Sequence, residues 1–140
     1  MERPILMRGV VHPWHHDHYG HMNVRWYAHF FDDAAYHLWP VFGINLIDLR
    51  RDHGLHTVTA KATTNFILEL SAGSLIVVDG AVSRLGSKSV TFEMRMINLE
   101  TDETHATYDV VEVMFDPETR ASAPIPEPLK ATLSKFLVSE

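Results

Sequence analysis

The feature that most constrains the fold of this 140-residue chain is a change in the spacing of its apolar residues at Gly54. Before Gly54, the apolar residues of one long segment recur every three or four positions, which is the spacing of one face of an α-helix. After Gly54, apolar and polar residues alternate, as they do in strands with one buried face. The chain is therefore predicted to fold as one long helix followed by a sheet.

The long helix is predicted to begin at Val24, with Asn23 as its N-cap, and to end before Pro40, because proline lacks the N–H that a helix needs. Its positions at helical spacing are Val24, Tyr27, Ala28, Phe31, Ala35 and Leu38. The other side of the helix is also apolar, which predicts a central helix covered on more than one side. This side holds Trp26, Phe30 and Trp39. A second, short helix is predicted over residues 45–52, with Gly54 as its stop.

Five strands are predicted, one before the long helix and four after it. Their ranges are Ile5–Val11, His56–Leu70, Ser74–Leu85, Ser89–Leu99 and Thr104–Phe115. Short turns separate the last four, which indicates consecutive hairpins. The second strand is predicted to be half-buried, and its buried face is expected to carry Val58, Ala60, Ala62, Phe66, Leu68 and Leu70. The tail after Pro124 is predicted to end in a short helix.

A half-buried antiparallel sheet must cover its apolar face with another element. Alternation is clearest in the fourth strand, where the apolar face carries Val90, Phe92, Met94 and Met96. The long helix is the element that can cover this face. The sequence therefore predicts a single α+β domain over residues 1–140, in which an antiparallel sheet of about five strands wraps around a long central helix.

The composition excludes several functional classes. A formal net charge of -6, with no cluster of Lys or Arg larger than a pair, argues against nucleic acid as a partner. The absence of cysteine excludes disulfides, thiolate metal sites and a cysteine nucleophile. No apolar segment has the length of a membrane span, and the first residues lack the apolar core of a signal peptide. We therefore expect a cytoplasmic protein with neither nucleic acid nor a membrane as partner.

The residues with the most chemical potential lie in one loop, residues 12–23, directly before the long helix. The loop holds five histidines, one carboxylate and one amide. A helix N-terminus carries partial positive charge and unpaired N–H groups, here those of residues 24–26, which can stabilise an oxyanion. Asp17 can be brought back toward them by a turn at Gly20, as a general base or nucleophile. The alternative is structural, with Asp17 capping a turn and Asn23 capping the helix.

The stretch Asp17-His18-Tyr19-Gly20-His21-Met22-Asn23, followed by Tyr27, resembles the D-x-x-G-H-x-N-x-x-x-Y signature of the 4-hydroxybenzoyl-CoA thioesterase family of hotdog proteins. The order of elements over residues 5–115 is also similar to that of the family. The resemblance implies a hotdog fold and a thioesterase that hydrolyses an acyl-CoA to a free carboxylic acid and CoA. It also implies no cofactor, and a homodimer or homotetramer with the site between subunits.

The same resemblance implies roles for individual residues of the loop. Asp17 falls on the catalytic carboxylate, either as nucleophile or as general base, and the helix N-terminus at Val24 polarises the thioester carbonyl. Asn23 matches the first asparagine of the frequent G-H-V-N-N form, whereas Val24 replaces the second and offers only its backbone N–H. His21 is a candidate for tuning Asp17 or for bonding the loop. Gly20 belongs to the same signature.

Further substrate contacts are expected on other elements. Tyr27 closes the signature, and Thr63 lies on the strand that the family places at its dimer interface. The turn that contains Arg84, Ser87 and Lys88 resembles a family turn that approaches the CoA phosphates, where backbone donors and fixed positive charge are useful. An ordinary hairpin turn is the alternative. An aromatic lining of the acyl pocket is suggested by Trp14, Tyr19, Trp26 and Phe30.

Alternatives remain open at the level of sequence. The imidazoles of His15, His16, His18 and His21 could hold zinc or iron together with Asp17, but their spacing matches no established metal motif, so we expect no metal. Asp32 and Asp33 are expected on an exposed polar edge of the helix. A hotdog hydratase or dehydratase acting on acyl thioesters is the enzymatic rival, and a non-catalytic acyl-CoA binding module is the rival from another class.

Overall fold

The computed structural model describes residues 3–138, and its elements follow the predicted order. A short 3-10 helix, Pro13–His15, lies within the loop that precedes the long helix. The other elements are β1 Ile5–Val10, α1 Val24–Val41, α2 Leu46–His53, β2 His56–Phe66, β3 Leu75–Leu85, β4 Ser89–Asn98, β5 Thr104–Asp116, β6 Ala121–Ser122 and α3 Glu127–Ser134. The predicted tail helix is confirmed as α3. Strand β6 was not predicted, because two residues carry no readable alternation.

One antiparallel sheet has the strand order β1-β3-β4-β5-β2, and β6 extends it by pairing with the end of β5. This confirms the prediction of about five antiparallel strands. Strands β1 and β2 lie at the two edges, although they come first in the chain. Helix α1 connects these two edges, together with α2, and lies across one face of the sheet. The predicted α+β architecture is therefore present.

The prediction of a hairpin between the second and third strands is wrong. Strand β2 pairs with β5, and β3 pairs with β1 and β4, so residues 67–74 cross from one side of the sheet to the other. In this crossing segment, the N–H groups of Ile67 and Leu68 both bond to the carbonyl oxygen of His105, at 2.9 and 3.1 Å. Alternation reports which residues of a strand share a face, but it does not report which strands are neighbours.

The prediction of a half-buried second strand reaching Leu70 is also wrong. Strand β2 ends at Phe66 and is exposed along most of both faces, because it is an edge strand that α1 does not cover. A register shift in its pairing with β5, between Thr59 and Lys61, changes which residues share a face. As a result Thr57 and Thr59, rather than Val58, lie on the same face as Phe66.

The core lies between α1 and the concave face of the sheet. Phe31 and Leu38 of α1 are fully buried, and the ring of Phe31 stacks on that of Tyr108 of β5 with centroids 4.9 Å apart. The predicted alternation in β4 is confirmed, since Val90, Phe92, Met94 and Met96 are all buried. Burying one such side chain contributes about 1.5–3 kcal/mol. Trp39, on the second apolar side of α1, meets Phe92 edge-on with ring centroids 5.1 Å apart, so the buried face of the helix includes part of this second side.

The ends of the helices follow local rules, with one exception. Asn23 is confirmed as the N-cap of α1, and α2 begins after the N-cap Asn45 and ends at Gly54, which has a φ of 66°. Pro40 does not lie past the end of α1, as predicted, but inside its last turn. The helix tolerates it because Phe42 closes the turn two residues later, so few hydrogen bonds are lost. None of the helices in residues 3–138 combines the length and hydrophobicity that a membrane-spanning helix needs.

A candidate active-site groove at the start of helix α1

Residues 12–23, hereafter the histidine loop, are fastened at both ends to neighbouring backbone. The N–H of Met22 donates to the carbonyl oxygen of Leu70 at 2.8 Å, and the N–H of Ala72 donates to Nε2 of His16 at 2.7 Å. At the start of the loop, the N–H of Gly73 donates to the carbonyl oxygen of Val11 at 2.8 Å. The crossing segment is therefore the support on which the histidine loop rests.

Asp17 lies in a tight turn of this loop. Its Oδ1 accepts a hydrogen bond from the N–H of Tyr19 at 2.8 Å, and its own N–H donates to the carbonyl oxygen of His21 at 2.9 Å. Gly20, with a φ of 85°, reverses the chain as the sequence indicated. Oδ2 of Asp17 has no hydrogen-bond partner within residues 3–138, so one carboxylate oxygen orders the turn and the other is left for chemistry.

The N-terminus of α1 presents fewer donors than the sequence suggested. The N–H of Arg25 is taken by Oδ1 of Asn23 at 3.1 Å, and the N–H of Trp26 by the carbonyl oxygen of Asn23 at 3.0 Å. Among residues 24–26, only the N–H of Val24 has no acceptor in the part of the chain that the structure describes. Asn23 thus occupies two of the three expected donors, and a single backbone donor is left beside the positive end of the helix dipole.

A groove of about 370 Å³ runs between the histidine loop, the first turn of α1 and the crossing segment. It brings together four of the predicted site residues, namely Asp17, His21, Val24 and Tyr27. Of the other predicted residues of the loop, Asn23 caps the helix and Gly20 forms the turn behind Asp17. The open groove is therefore lined by a carboxylate, an imidazole and a backbone N–H. These are groups that acyl transfer uses.

The opposite wall of the groove was missed by sequence reasoning. It is formed by Phe66, Ile67, Leu68 and Glu69. Phe66 is 54% exposed there, although alternation had predicted it on a buried face. Glu69 meets His21, with its Oε2 3.1 Å from Nε2 of the imidazole. No sequence signal marks this wall, because it depends on where the crossing segment passes.

Tyr27 forms the inner side of the groove and is only 4% exposed. Its ring meets that of Phe66 edge-on, with centroids 5.1 Å apart. Burial raises the pKa of the Tyr27 hydroxyl above its usual value. The phenol therefore stays protonated and serves the groove as a packed wall with a hydrogen-bonding group.

Four predicted contact residues lie elsewhere in the chain. Arg84, Ser87 and Lys88 surround the turn between β3 and β4, whereas the histidine loop is fastened near the start of β3, roughly 30 Å away along the strand. Thr63 pairs with Asp109 and lies on the opposite face of β2 from Phe66. A single chain does not bring these residues to the groove.

His15 is buried and does not belong to the groove. Its Nδ1 accepts the N–H of His12 at 2.8 Å, and its ring packs against Trp26 and Phe30, with centroids 4.6 and 5.2 Å away. Burial, followed by the charges of neighbouring histidines, lowers its pKa below the usual value. The prediction of an aromatic lining is therefore wrong for these two aromatic residues, which cover His15 instead. The exposed Trp14 stacks on His12, so of the four residues suggested for the aromatic lining only Tyr19 lines the groove.

The remaining histidines of the loop are separated by the turn. The ring of His16 bonds to Ala72, that of His18 lies tilted against Tyr19 with centroids 4.0 Å apart, and that of His21 meets Glu69. Within residues 3–138, no three His, Asp or Glu side chains converge in an arrangement that could hold a metal ion.

The sequence matches the model of a family described as the thioesterase-like superfamily over residues 11–133. No match was found among curated proteins. A hypothetical protein from Staphylococcus aureus, solved in complex with CoA, has a similar structure with a TM-score of 0.82 and 19% identity, over 100% of this chain and 90% of its own. A probable thioesterase from Escherichia coli gives a TM-score of 0.80 at 17% identity, over 94% of this chain and 98% of its own. A 1,4-dihydroxy-2-naphthoyl-CoA thioesterase from Synechocystis gives 0.76 at 13% identity, over 93% and 95%. These likenesses confirm the predicted hotdog fold.

Proposed function

Because the chain belongs to the thioesterase-like superfamily, we propose that it hydrolyses an acyl-CoA thioester to a free carboxylic acid and CoA. The observation that carries the proposal is the groove at the start of α1, where Oδ2 of Asp17 and the N–H of Val24 both lack a partner among residues 3–138. A similar protein of the same fold binds CoA, which supports a CoA ester as the substrate.

In this proposal the thioester carbonyl lies at the N-terminus of α1. The N–H of Val24 donates to the carbonyl oxygen as it becomes an oxyanion, and the helix dipole adds to that stabilisation. Asp17 takes a proton from water, whose oxygen forms a bond to the carbonyl carbon. The bond between this carbon and sulfur then breaks, and the thiolate of CoA takes the proton that Asp17 had accepted.

A second route gives Asp17 a covalent role. Its free Oδ2 attacks the carbonyl carbon, CoA leaves as the thiol, and water hydrolyses the resulting mixed anhydride. The two routes use the same groove and the same oxyanion donor. A single turnover in water labelled with heavy oxygen distinguishes them. Only in the covalent route can attack of water on the anhydride leave the label in the Asp17 carboxylate.

The proposal includes a homo-oligomer, either a dimer or a tetramer. Strand β2 is an edge strand with both faces largely open, and apolar side chains such as those of Phe66 and Ile67 are exposed beside it. Exposed edges and apolar patches of this kind are usually covered by another chain. Since a single chain keeps Arg84 and Lys88 away from the groove, contact of their charges with the CoA phosphates also requires a second copy. The particle mass in solution tests this part, and a stable monomer would contradict it.

The test of the function is thiol release from a panel of short-chain, long-chain, aromatic and polar acyl-CoA esters. For the variant Asp17→Asn, we expect kcat to fall by about 10²–10⁴, the usual effect of removing a general base. The matched control is Asp33→Asn, because Asp33 is an exposed residue of α1 outside the groove. Activity that survives Asp17→Asn unchanged would overturn the assignment, and sensitivity to a chelator would point to a metal.

A hydratase or dehydratase remains the second candidate, since one observation favours it. His21 and Glu69 form a histidine–carboxylate pair at 3.1 Å on the wall of the groove, and such pairs carry out acid and base steps on acyl thioesters. Hydration of an enoyl-CoA, measured on the same preparation, distinguishes it from hydrolysis. Absence of both activities would favour a binding module. The cytoplasmic location inferred from the sequence stays a prediction.

A further inference from the structure

A second cavity, of about 260 Å³, lies between α1 and β2, further along α1 than the candidate groove. We call it the acidic pocket. Its polar and aromatic walls are Asp32, Tyr36 and Trp39 of α1, Thr57 and Thr59 of β2, and Glu112 of β5. None of these residues has a part in the proposed hydrolysis.

Glu112 is the unusual member of the acidic pocket, since it is a carboxyl group only 8% exposed. The hydroxyl of Thr59 donates to its Oε1 at 2.8 Å. Its Oε2 has no donor in the part of the chain that the structure describes. Burial, reinforced by the charge of Asp32, raises the pKa of Glu112, although the Thr59 hydrogen bond opposes this. Glu112 lines the acidic pocket, so this second carboxyl oxygen can accept a hydrogen bond from a ligand that supplies a donor.

The acidic pocket and the candidate groove lie on one continuous strip of the molecule. Val24 and Tyr27 line the groove, while Asp32 and Ala35 line the pocket. All four residues lie on one face of α1, because they are spaced at helical intervals. The opposite side of the strip is β2, with Phe66 at the groove and Thr59 at the pocket. The helix and the strand therefore run in opposite directions along the strip.

Small side chains face the strip between the two cavities. The side chain between the two cavities on α1 is that of Ala28. On β2, the side chains between them are those of Ala62 and Thr64, on the same face as Phe66. Asp32 lies roughly 12 Å from Val24 along the helix axis, at about 1.5 Å per residue. An extended acyl chain whose carbonyl lies at Val24 would therefore reach the acidic pocket with its far end.

We propose that the substrates of this protein are acyl-CoA esters whose acyl chain carries a hydrogen-bond donor, an ammonium or a hydroxyl group, at its far end, and that Glu112 and Asp32 bind this group. The proposal rests on the proposed thioesterase function and names its substrate class. A terminal methyl group leaves Oε2 of Glu112 without a donor. A terminal carboxylate adds negative charge beside two acidic side chains, which repels it.

The test compares acyl-CoA esters of one medium chain length that end in methyl, hydroxyl, ammonium or carboxylate. For the wild-type protein, we expect kcat/KM to be at least about tenfold higher for the ammonium and hydroxyl ends than for the methyl end, because polar sites discriminate strongly against analogues that leave them unpaired. The carboxylate end should be the poorest. In Glu112→Gln and Asp32→Asn, the ratio of ammonium to methyl should fall, and in the control Glu118→Gln, an exposed residue of the turn after β5 that does not line the acidic pocket, it should not.

The outcomes separate this inference from the proposed function. Hydrolysis with no preference among the four ends would overturn the inference and leave the thioesterase proposal intact. A preference that survives both Glu112→Gln and the surface variant Asp32→Asn would overturn the assignment to the acidic pocket. If no ester is hydrolysed, the thioesterase proposal fails, and calorimetric binding of the same four esters still decides the inference. Tighter binding of the ammonium end supports it, and equal or absent binding overturns it.

Discussion

The backbone N–H of Met22 donates a 2.8 Å hydrogen bond to the carbonyl oxygen of Leu70, which joins the histidine loop to the segment that crosses the end of the sheet. Met22 lines the candidate groove, and Leu70 directly follows its opposite wall. A side chain adds a second link between the loop and the crossing segment, from the N–H of Ala72 to Nε2 of His16 at 2.7 Å. The position of Asp17 therefore depends on the crossing segment as well as on its own turn.

Replacing His16 with alanine should loosen the groove more than it weakens the fold. The change removes the acceptor of the Ala72 N–H, so we expect the free energy of unfolding to fall by about 1 kcal/mol, the usual net value of one hydrogen bond. Since Asp17 follows His16 directly, kcat should fall by about tenfold or more, because small displacements of a catalytic group are expensive. Steady-state kinetics and urea unfolding of the same variant measure both effects.

The control for this experiment is His18→Ala. His18 is exposed, and its ring lies tilted against that of Tyr19, a residue of the same loop. We expect it to change kcat much less than His16→Ala does. Equal losses in the two variants would mean that the link to the crossing segment does not position Asp17.

Asn23 and Asn45 offer a matched pair of helix caps. The amide oxygen of Asn23 accepts the N–H of Arg25 at the start of α1, and that of Asn45 accepts those of Ile47 and Asp48 at the start of α2. Replacing either with alanine should lower the free energy of unfolding by about 1 kcal/mol. Only Asn23→Ala should also lower kcat/KM, because it frees the N–H of Arg25 and disturbs the donor at Val24. An equal catalytic loss in Asn45→Ala would place the effect in general stability.

His15 should make the stability of the protein depend on pH. Burial lowers its pKa below the usual 6.5, and Nδ1 accepts the N–H of His12, so the ring must be neutral in the folded state. Below about pH 6.5 the unfolded chain binds a proton that the folded chain resists, so the free energy of unfolding should fall as the pH falls through this window. Urea unfolding between about pH 7.5 and about pH 5 measures the effect.

Two variants identify the source of this pH dependence. In His15→Gln the ring that resists protonation is gone, and the decline of stability toward low pH should become shallower. In His37→Gln the removed ring belongs to an exposed position of α1, and the decline should match that of the wild type. A wild-type slope in His15→Gln would assign the pH dependence to other groups.

Local chemistry made much of the fold readable from the sequence. The helix caps Asn23 and Asn45, the stop at Gly54 and the alternation in β4 each depend on a few neighbouring residues, so their outcomes match the predictions. The turn at Gly20 is of the same kind. These features are decided within about one turn of helix or one strand, which is the range over which propensity and periodicity act.

Features that depend on distant parts of the chain were not readable. Phe66 was predicted on a buried face because its strand alternates, yet the strand lies at the edge of the sheet and the side chain lines the groove. Glu69 carries no motif, and it reaches His21 only because residues 67–74 cross the sheet. Pro40 is a separate, local case, because the rule that excludes proline from helix interiors does not apply to the last turn of α1.

Strand β4 lies between β3 and β5 at the centre of the sheet, whereas the groove lies beside the two edge strands. Amide protons of a central strand exchange with solvent only in a large opening of the sheet, whereas those near an edge exchange through small local fluctuations. The histidine loop continues from the edge strand β1, and the crossing segment continues from the edge strand β2. We therefore expect both walls of the groove to open and reclose at a free-energy cost well below that of global unfolding. A long acyl chain can then enter while the centre of the sheet stays closed.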